Sequence, residues 1–122
     1  MEFYKCRKCG NVLLKVNGVV SGSTCDCDDL VPLRVGETDG ALEKHVPVYQ
    51  LNDNKLDVTV GEVIHPMEDD HYIEFIIYEY EEGFELKRLK PHMAPSATFE
   101  YKGKGTIYEY CNKHGLWKNN ID

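Results

Sequence analysis

The residues able to ligate metal or carry redox chemistry fall into two groups along the chain. Cys6, Cys9, Cys25 and Cys27 lie in the first quarter. Cys111 stands alone near the end, and His45, His65, His71, His92 and His114 all follow residue 40. Cys6-x-x-Cys9 with a later cysteine pair has the spacing of a metal knuckle. Four thiolates around one ion are tetrahedral, which suits iron or zinc. Unliganded thiols are the alternative, and the odd total of five cysteines argues against a simple disulfide framework. In the second group, Cys111-Asn112-Lys113-His114 sets a thiol and an imidazole on one tight turn. His65 and His71 flank a short loop, and His45 sits in Glu43-Lys44-His45-Val46-Pro47. A single histidine is more often a surface or satisfied core residue, so spacing alone leaves both a metal site and ordinary histidines open.

The ligand count narrows the chemistry if these residues do converge. Structural zinc is closed by four ligands and catalytic zinc keeps three. Four imidazoles and one thiolate make five and leave one octahedral position open. Imidazole suits iron, and an anionic thiolate pushes electron density onto the metal. An electron-rich ferrous centre with one vacancy is suited to reducing a small oxygen species. His92, in the Pro-bounded run Lys90-Pro91-His92-Met93-Ala94-Pro95, reads as a surface residue.

The elements that must position these groups read as strands. Val12 to Val16 and Val19-Val20 flank Asn17-Gly18, a two-residue hairpin signal because both turn positions need positive φ. Asp57 to Val60 alternates polar and apolar, and Tyr72 to Tyr80 is rich in aromatic and β-branched residues. Glu81-Glu82-Gly83 turns the chain into Phe84 to Leu89 within an acidic, solvated hairpin. Thr98 to Lys102 and Thr106 to Tyr110 flank Gly103-Lys104-Gly105, which predicts a further hairpin. No helical stripe of about ten residues is present. Short strands at close intervals predict an all-β fold, an antiparallel β-sandwich with most tyrosines in its core. The turn-rich segment Val35-Gly36-Glu37-Thr38-Asp39-Gly40 reads as a boundary, giving a small metal-binding β module over 1–36 and a larger domain over 37–122. A piece of about 36 residues is too short to be stable alone, so metal or dimerisation is expected to help hold it.

Composition excludes several classes. The formal charge of −7 argues against nucleic acid and anionic membranes, which both favour a basic face. No apolar stretch is long enough for a membrane span. The opening Met1-Glu2-Phe3-Tyr4-Lys5-Cys6 has no apolar signal-peptide core, so a cytoplasmic location is expected. In a reducing compartment cysteines serve more often as ligands or catalysts than as disulfides.

Taken in order, Glu43-Lys44-His45-Val46-Pro47, His65-Pro66-Met67 with His71-Tyr72-Ile73, and Cys111-Asn112-x-His114-Gly115-x-Trp117 resemble the signature segments of superoxide reductases. The N-terminal Tyr4-Lys5-Cys6-x-x-Cys9-Gly10-Asn11 resembles the extra desulforedoxin-like module of desulfoferrodoxins. The resemblance spans nearly the whole chain. It implies an immunoglobulin-like sandwich in which His45, His65, His71 and His114 are equatorial ligands of the active iron and Cys111 is axial. It implies one-electron reduction of superoxide to hydrogen peroxide, an electron donor of the rubredoxin type, and a homodimer. Lys44 would lie near the open iron position, attracting superoxide or relaying protons, and Glu43 would approach that position in the oxidised state. The alternatives are a non-catalytic iron electron-transfer protein and a superoxide dismutase. The chain departs from the family pattern at Cys25-Asp26-Cys27, where desulforedoxin-like modules carry two adjacent cysteines. The inserted Asp26 changes the bite of the last two ligands and leaves iron, zinc or a vacant site at Cys6, Cys9, Cys25 and Cys27 all open.

Overall fold

The computed structural model describes residues 1–15, 29–36 and 40–122. These fall into two compact units, Met1–Arg34 and Val35–Asp122. The first unit holds β1 (Glu2–Cys6), β2 (Val12–Lys15) and β3 (Leu30–Leu33) in one antiparallel sheet of order β2-β1-β3. Among its described residues, Phe3 and Cys6 on β1 are buried. The expected Asn17-Gly18 turn, and Cys25 and Cys27, lie outside the described residues.

The second unit is all-β apart from one helical turn, α1 (Leu42–His45). Its strands are β4 (Pro47–Asn52), β5 (Lys55–Val60), β6 (Ile73–Tyr80), β7 (Gly83–Arg88), β8 (Ser96–Glu100), β9 (Gly105–Cys111) and β10 (Gly115–Ile121). They form two antiparallel sheets of order β10-β9-β6-β7 and β4-β5-β8. Strict alternation puts Leu56, Val58 and Val60 of β5 inward, while Asp57 turns out to bond Asn52 and Thr98. Those three side chains, with Phe99 of β8, pack against Ile76 and Tyr78 of β6, Ile107 of β9 and Ile121 of β10. Burying a side chain of this size contributes roughly 1.5–3 kcal/mol, so the facing rows of the two sheets hold the sandwich together.

One expected hairpin is corrected. Thr98 to Lys102 and Thr106 to Tyr110 do not pair with each other: β8 pairs with β5 in one sheet, and β9 pairs with β6 and β10 in the other. The glycine-rich link between them is a corner from sheet to sheet. The Tyr78 hydroxyl pins it, accepting from the Lys102 N–H at 2.9 Å and donating to the Gly103 carbonyl. The β6–β7 hairpin forms as its Glu-Glu-Gly turn predicts.

Two irregularities matter for the site. The β6–β9 register shifts between Ile73 and Phe75, so β6 carries one extra residue opposite Cys111 and Tyr110. Such a bulge bends its strand and re-aims the side chains beside it. β9 then ends at Cys111 and returns through a tight turn into β10, with Gly115 paired to Cys111.

Candidate metal centre

Four elements deliver the five residues of the second group to one end of the sandwich. α1 ends on His45, the loop after β5 carries His65, His71 precedes β6, and the β9–β10 turn carries Cys111 and His114. The four imidazole rings form a closed cycle. Centroids are 4.7 Å apart for His45–His65, 4.8 Å for His65–His71, 5.1 Å for His71–His114 and 4.7 Å for His114–His45. Interplanar angles of 71–83° set each ring edge-on to the next. One ligand atom each from His45, His71, Cys111 and His114 lies within 4.8 Å of the others. Cys111, fully buried, belongs to the sandwich core, and its Sγ lies 3.9 Å from His114 Nδ1.

Hydrogen bonds fix which nitrogens face inward. His45 Nδ1 lies 2.7 Å from the Ala41 carbonyl and His65 Nδ1 lies 2.7 Å from the Pro66 carbonyl. A carbonyl only accepts, so both Nδ1 atoms carry the proton and both Nε2 atoms present lone pairs. Those two Nε2 atoms stand 3.1 Å apart, and His114 Nδ1 stands 3.1 Å from His45 Nε2. His71 Nε2 is buried with no partner among the described residues. Lone pairs converging at that distance repel unless a cation lies between them. With metal–nitrogen bonds of about 2.1 Å, adjacent octahedral nitrogens stand about 3.0 Å apart. The donors therefore suit a metal, three through Nε2 and His114 through Nδ1. The carbonyls on His45 and His65 act as outer partners that hold the rings in the ligating tautomer.

The electrostatics agree. Burial, aided by repulsion from the neighbouring rings, lowers the pKa of His45 and His71 and takes His65 down to about 4, against the Ala41 and Pro66 carbonyls, which raise His45 and His65. These rings are neutral donors near pH 7. Burial pushes the Cys111 thiol up, against the backbone N–H groups of Lys113 and His114, which favour the thiolate. Metal binding must therefore displace the thiol proton. Two residues earlier on the same face of β9, Glu109 is fully buried with neither carboxylate oxygen hydrogen-bonded among the described residues, and burial raises its pKa well above the usual range.

Local packing shows why the sequence folds to this arrangement. Val63 N–H donates to the Glu43 carbonyl at 2.9 Å and Gly61 N–H to the Val46 carbonyl, which binds the His65 loop to α1. Gly61 has φ +86°, and a Cβ there would meet the Lys44 and Glu43 carbonyls at 2.7 and 2.8 Å. Trp117 supports two of the converging histidines. Its ring stacks on His45 at 5.1 Å and its Nε1–H donates to the His114 carbonyl at 3.0 Å. Gly40 lies against all three: a Cβ would be 3.1 Å from His45, His114 and Trp117.

Glu43 and Lys44 are exposed on α1 and act on His45 in opposite directions, Lys44 lowering and Glu43 raising its pKa. His92 lies apart from the ring cycle. Its exposed Nε2 is 3.0 Å from Asp69 Oδ1, and its backbone, at φ +70°, donates to the Met67 carbonyl. In the first unit, Cys6 is buried and Cys9 exposed at either end of a turn closed by Gly10 N–H to the Cys6 carbonyl at 2.8 Å. Sequence reasoning missed Gly40, Gly61 and Glu109. The first two act through packing between distant segments, and a lone glutamate in a strand gives no sign that its face is buried.

The sequence profile of the desulfoferrodoxin family matches residues 37–120. The chain is 39% identical over 121 residues to a desulfoferrodoxin of Clostridium acetobutylicum, covering 99% of this chain and 97% of that one. It is 42% identical over 118 residues to a desulfoferrodoxin of Nitratidesulfovibrio vulgaris, covering 96% and 94%. Its fold is similar to the crystal structure of a superoxide reductase from Treponema pallidum, with TM-score 0.76, 31% identity and coverage of 98% and 99%.

Proposed function

Since the chain belongs to the desulfoferrodoxin family, we propose that it reduces superoxide to hydrogen peroxide at one iron held by His45, His65, His71, His114 and Cys111. The protein is an iron-dependent superoxide reductase, an oxidoreductase with superoxide as its substrate. The observation that carries the ligand set is the convergence of imidazole lone pairs 3.1 Å apart above a buried thiol. Iron bound there supplies the single electron that, with two protons, turns superoxide into peroxide.

The chain's own groups do the rest. Four imidazoles and one thiolate would hold the iron with five donors and leave room for superoxide as a sixth. Lys44, exposed beside His45, is the proposed cation that draws in the anion. A local positive charge is needed because the net charge of −7 repels superoxide at long range. Glu43 is the proposed carboxylate that approaches the open side in the oxidised protein. Each turnover needs an outside electron, and a small rubredoxin-like protein in the cytoplasm is the proposed donor. We read the assembly as a homodimer with two functional modules, 1–36 and 37–122. Cys6, Cys9, Cys25 and Cys27 are the proposed ligands of a second metal, iron before zinc.

Metal analysis joined to an optical spectrum of the oxidised protein tests the ligand set. The reading expects iron and a thiolate-to-iron charge-transfer band in the visible region. Replacing any of the four ring ligands by Ala should weaken iron retention, whereas His92→Ala should not. Iron bound without a thiolate band would remove Cys111 from the site.

A further inference from the structure

Two of the four rings are oriented by hydrogen bonds of their own, and a third is held through its backbone. His45 and His65 give Nδ1–H to backbone carbonyls, and Trp117 binds the His114 carbonyl. His71 differs. Its Nε2 is buried and unpartnered, and no described residue hydrogen-bonds its ring. His71 also precedes the first residue of β6, beyond the regular ladder, whose last pair is Ile73 with Cys111.

Asn112 fills that gap. Its N–H donates to the Tyr72 carbonyl at 3.2 Å. Its Oδ1 accepts from the Tyr72 N–H at 2.9 Å, and its Nδ2 donates to the Asp70 carbonyl at 3.0 Å. The three bonds clasp the backbone on both sides of His71. Across the loop, Glu68 and His71 exchange backbone bonds at 2.9 and 3.3 Å, so the segment is held from two directions. An asparagine side chain both donates and accepts, so it can take an N–H and a carbonyl two residues apart at once. Asn112 also follows Cys111 directly, so the clasp ties the backbone of the thiol ligand to that of His71, the ring that no described residue hydrogen-bonds.

We infer that Asn112 is the positioning residue for His71, fixing that ring against Cys111 and so setting the symmetry of the ligand field. The inference rests on the ligand set proposed above. Outer-shell partners of metal ligands commonly control affinity about 10–100-fold. Asn112→Ala should speed the loss of iron to a chelator by about tenfold, the low end of that range. It should also shift the thiolate-to-iron band and change the rhombicity of the ferric electron paramagnetic resonance signal. Asn112→Asp keeps the acceptor for Tyr72 but loses the donor to Asp70, so it should alter the same signals while preserving the fold. Lys118→Ala, exposed on β10, should leave band and signal in place.

The thermal midpoint of metal-free protein separates positioning from plain stability. A positioning role moves band, signal and iron retention in both Asn112 variants with little change in that midpoint. Unaltered spectra and iron loss in both variants overturn the inference, as does a lowered metal-free midpoint with unaltered spectra. If the unsubstituted protein itself lacks the thiolate band, the ligand set fails and this inference falls with it.

Discussion

At the residue scale, the site is a set of lone pairs held close enough to need a cation. Cys111 is the only anionic donor among the five proposed ligands, so it would govern the electronic character of the iron. Cys111→Ser should abolish the visible charge-transfer band and most of the reductase activity; a variant keeping both would remove Cys111 from the ligand set. His65 makes a separate test in metal-free protein. Its pKa falls from an ordinary 6.5 to about 4 on folding because burial disfavours the charged ring. Protons therefore favour the unfolded chain, and stability is intact above about pH 6.5 and declines as pH falls toward 4. Urea midpoints at pH 7 and pH 5 should show that decline, and His65→Leu should make it shallower. An equally steep decline in the variant would assign it to other groups. Lys44→Ala should slow reaction of the reduced protein with superoxide by about tenfold and flatten its dependence on salt. An unchanged rate and salt slope would return Lys44 to an ordinary solvated side chain.

At the element scale, the strands were legible where period and turn chemistry agreed. The alternation of β5 and the run of β6 through Glu81-Glu82-Gly83 into β7 are local signals, and they appear as expected. β10 was not legible, because its apolar residues do not alternate: Leu116 and Trp117 are adjacent, and Lys118, Asn119 and Asn120 separate them from Ile121. α1 is a single turn, too short for a period to register. The Gly103-Lys104-Gly105 turn misled because identical turn residues serve a hairpin or a corner between sheets, and only the partner strands decide. The histidines and the cysteine that converge here were legible as motifs, yet their supports were not. Gly61 shows why: its need for a positive φ and for bare backbone comes from α1, which packs there only after folding. Gly61→Ala should cost at least about 1–3 kcal/mol through strain alone, and should separate His45 from His65. Thermal unfolding with an iron titration would check both effects. Normal stability and affinity would show that the α1 contact is dispensable.

At the scale of the whole molecule, the division of labour between the two units is the open structural claim. All five proposed active-site ligands lie in the second unit, Val35–Asp122, which contains its own two-sheet core. Protein beginning near Glu37 should therefore fold, hold one iron and reduce superoxide, with full-length Cys27→Ser behaving likewise. Loss of superoxide reduction in a truncated protein that still folds would make the first unit part of the catalytic apparatus. Among the described residues, no helix is long and apolar enough to cross a membrane. The central claim is that this iron reduces superoxide without oxidising a second molecule of it. The most direct measurement is the yield of peroxide per superoxide consumed, made with an electron donor and repeated without one. The account predicts one peroxide for each superoxide, one electron drawn from the donor, and no turnover once the donor is exhausted. Sustained turnover without a donor, with dioxygen evolved and one peroxide for every two superoxides, would contradict it.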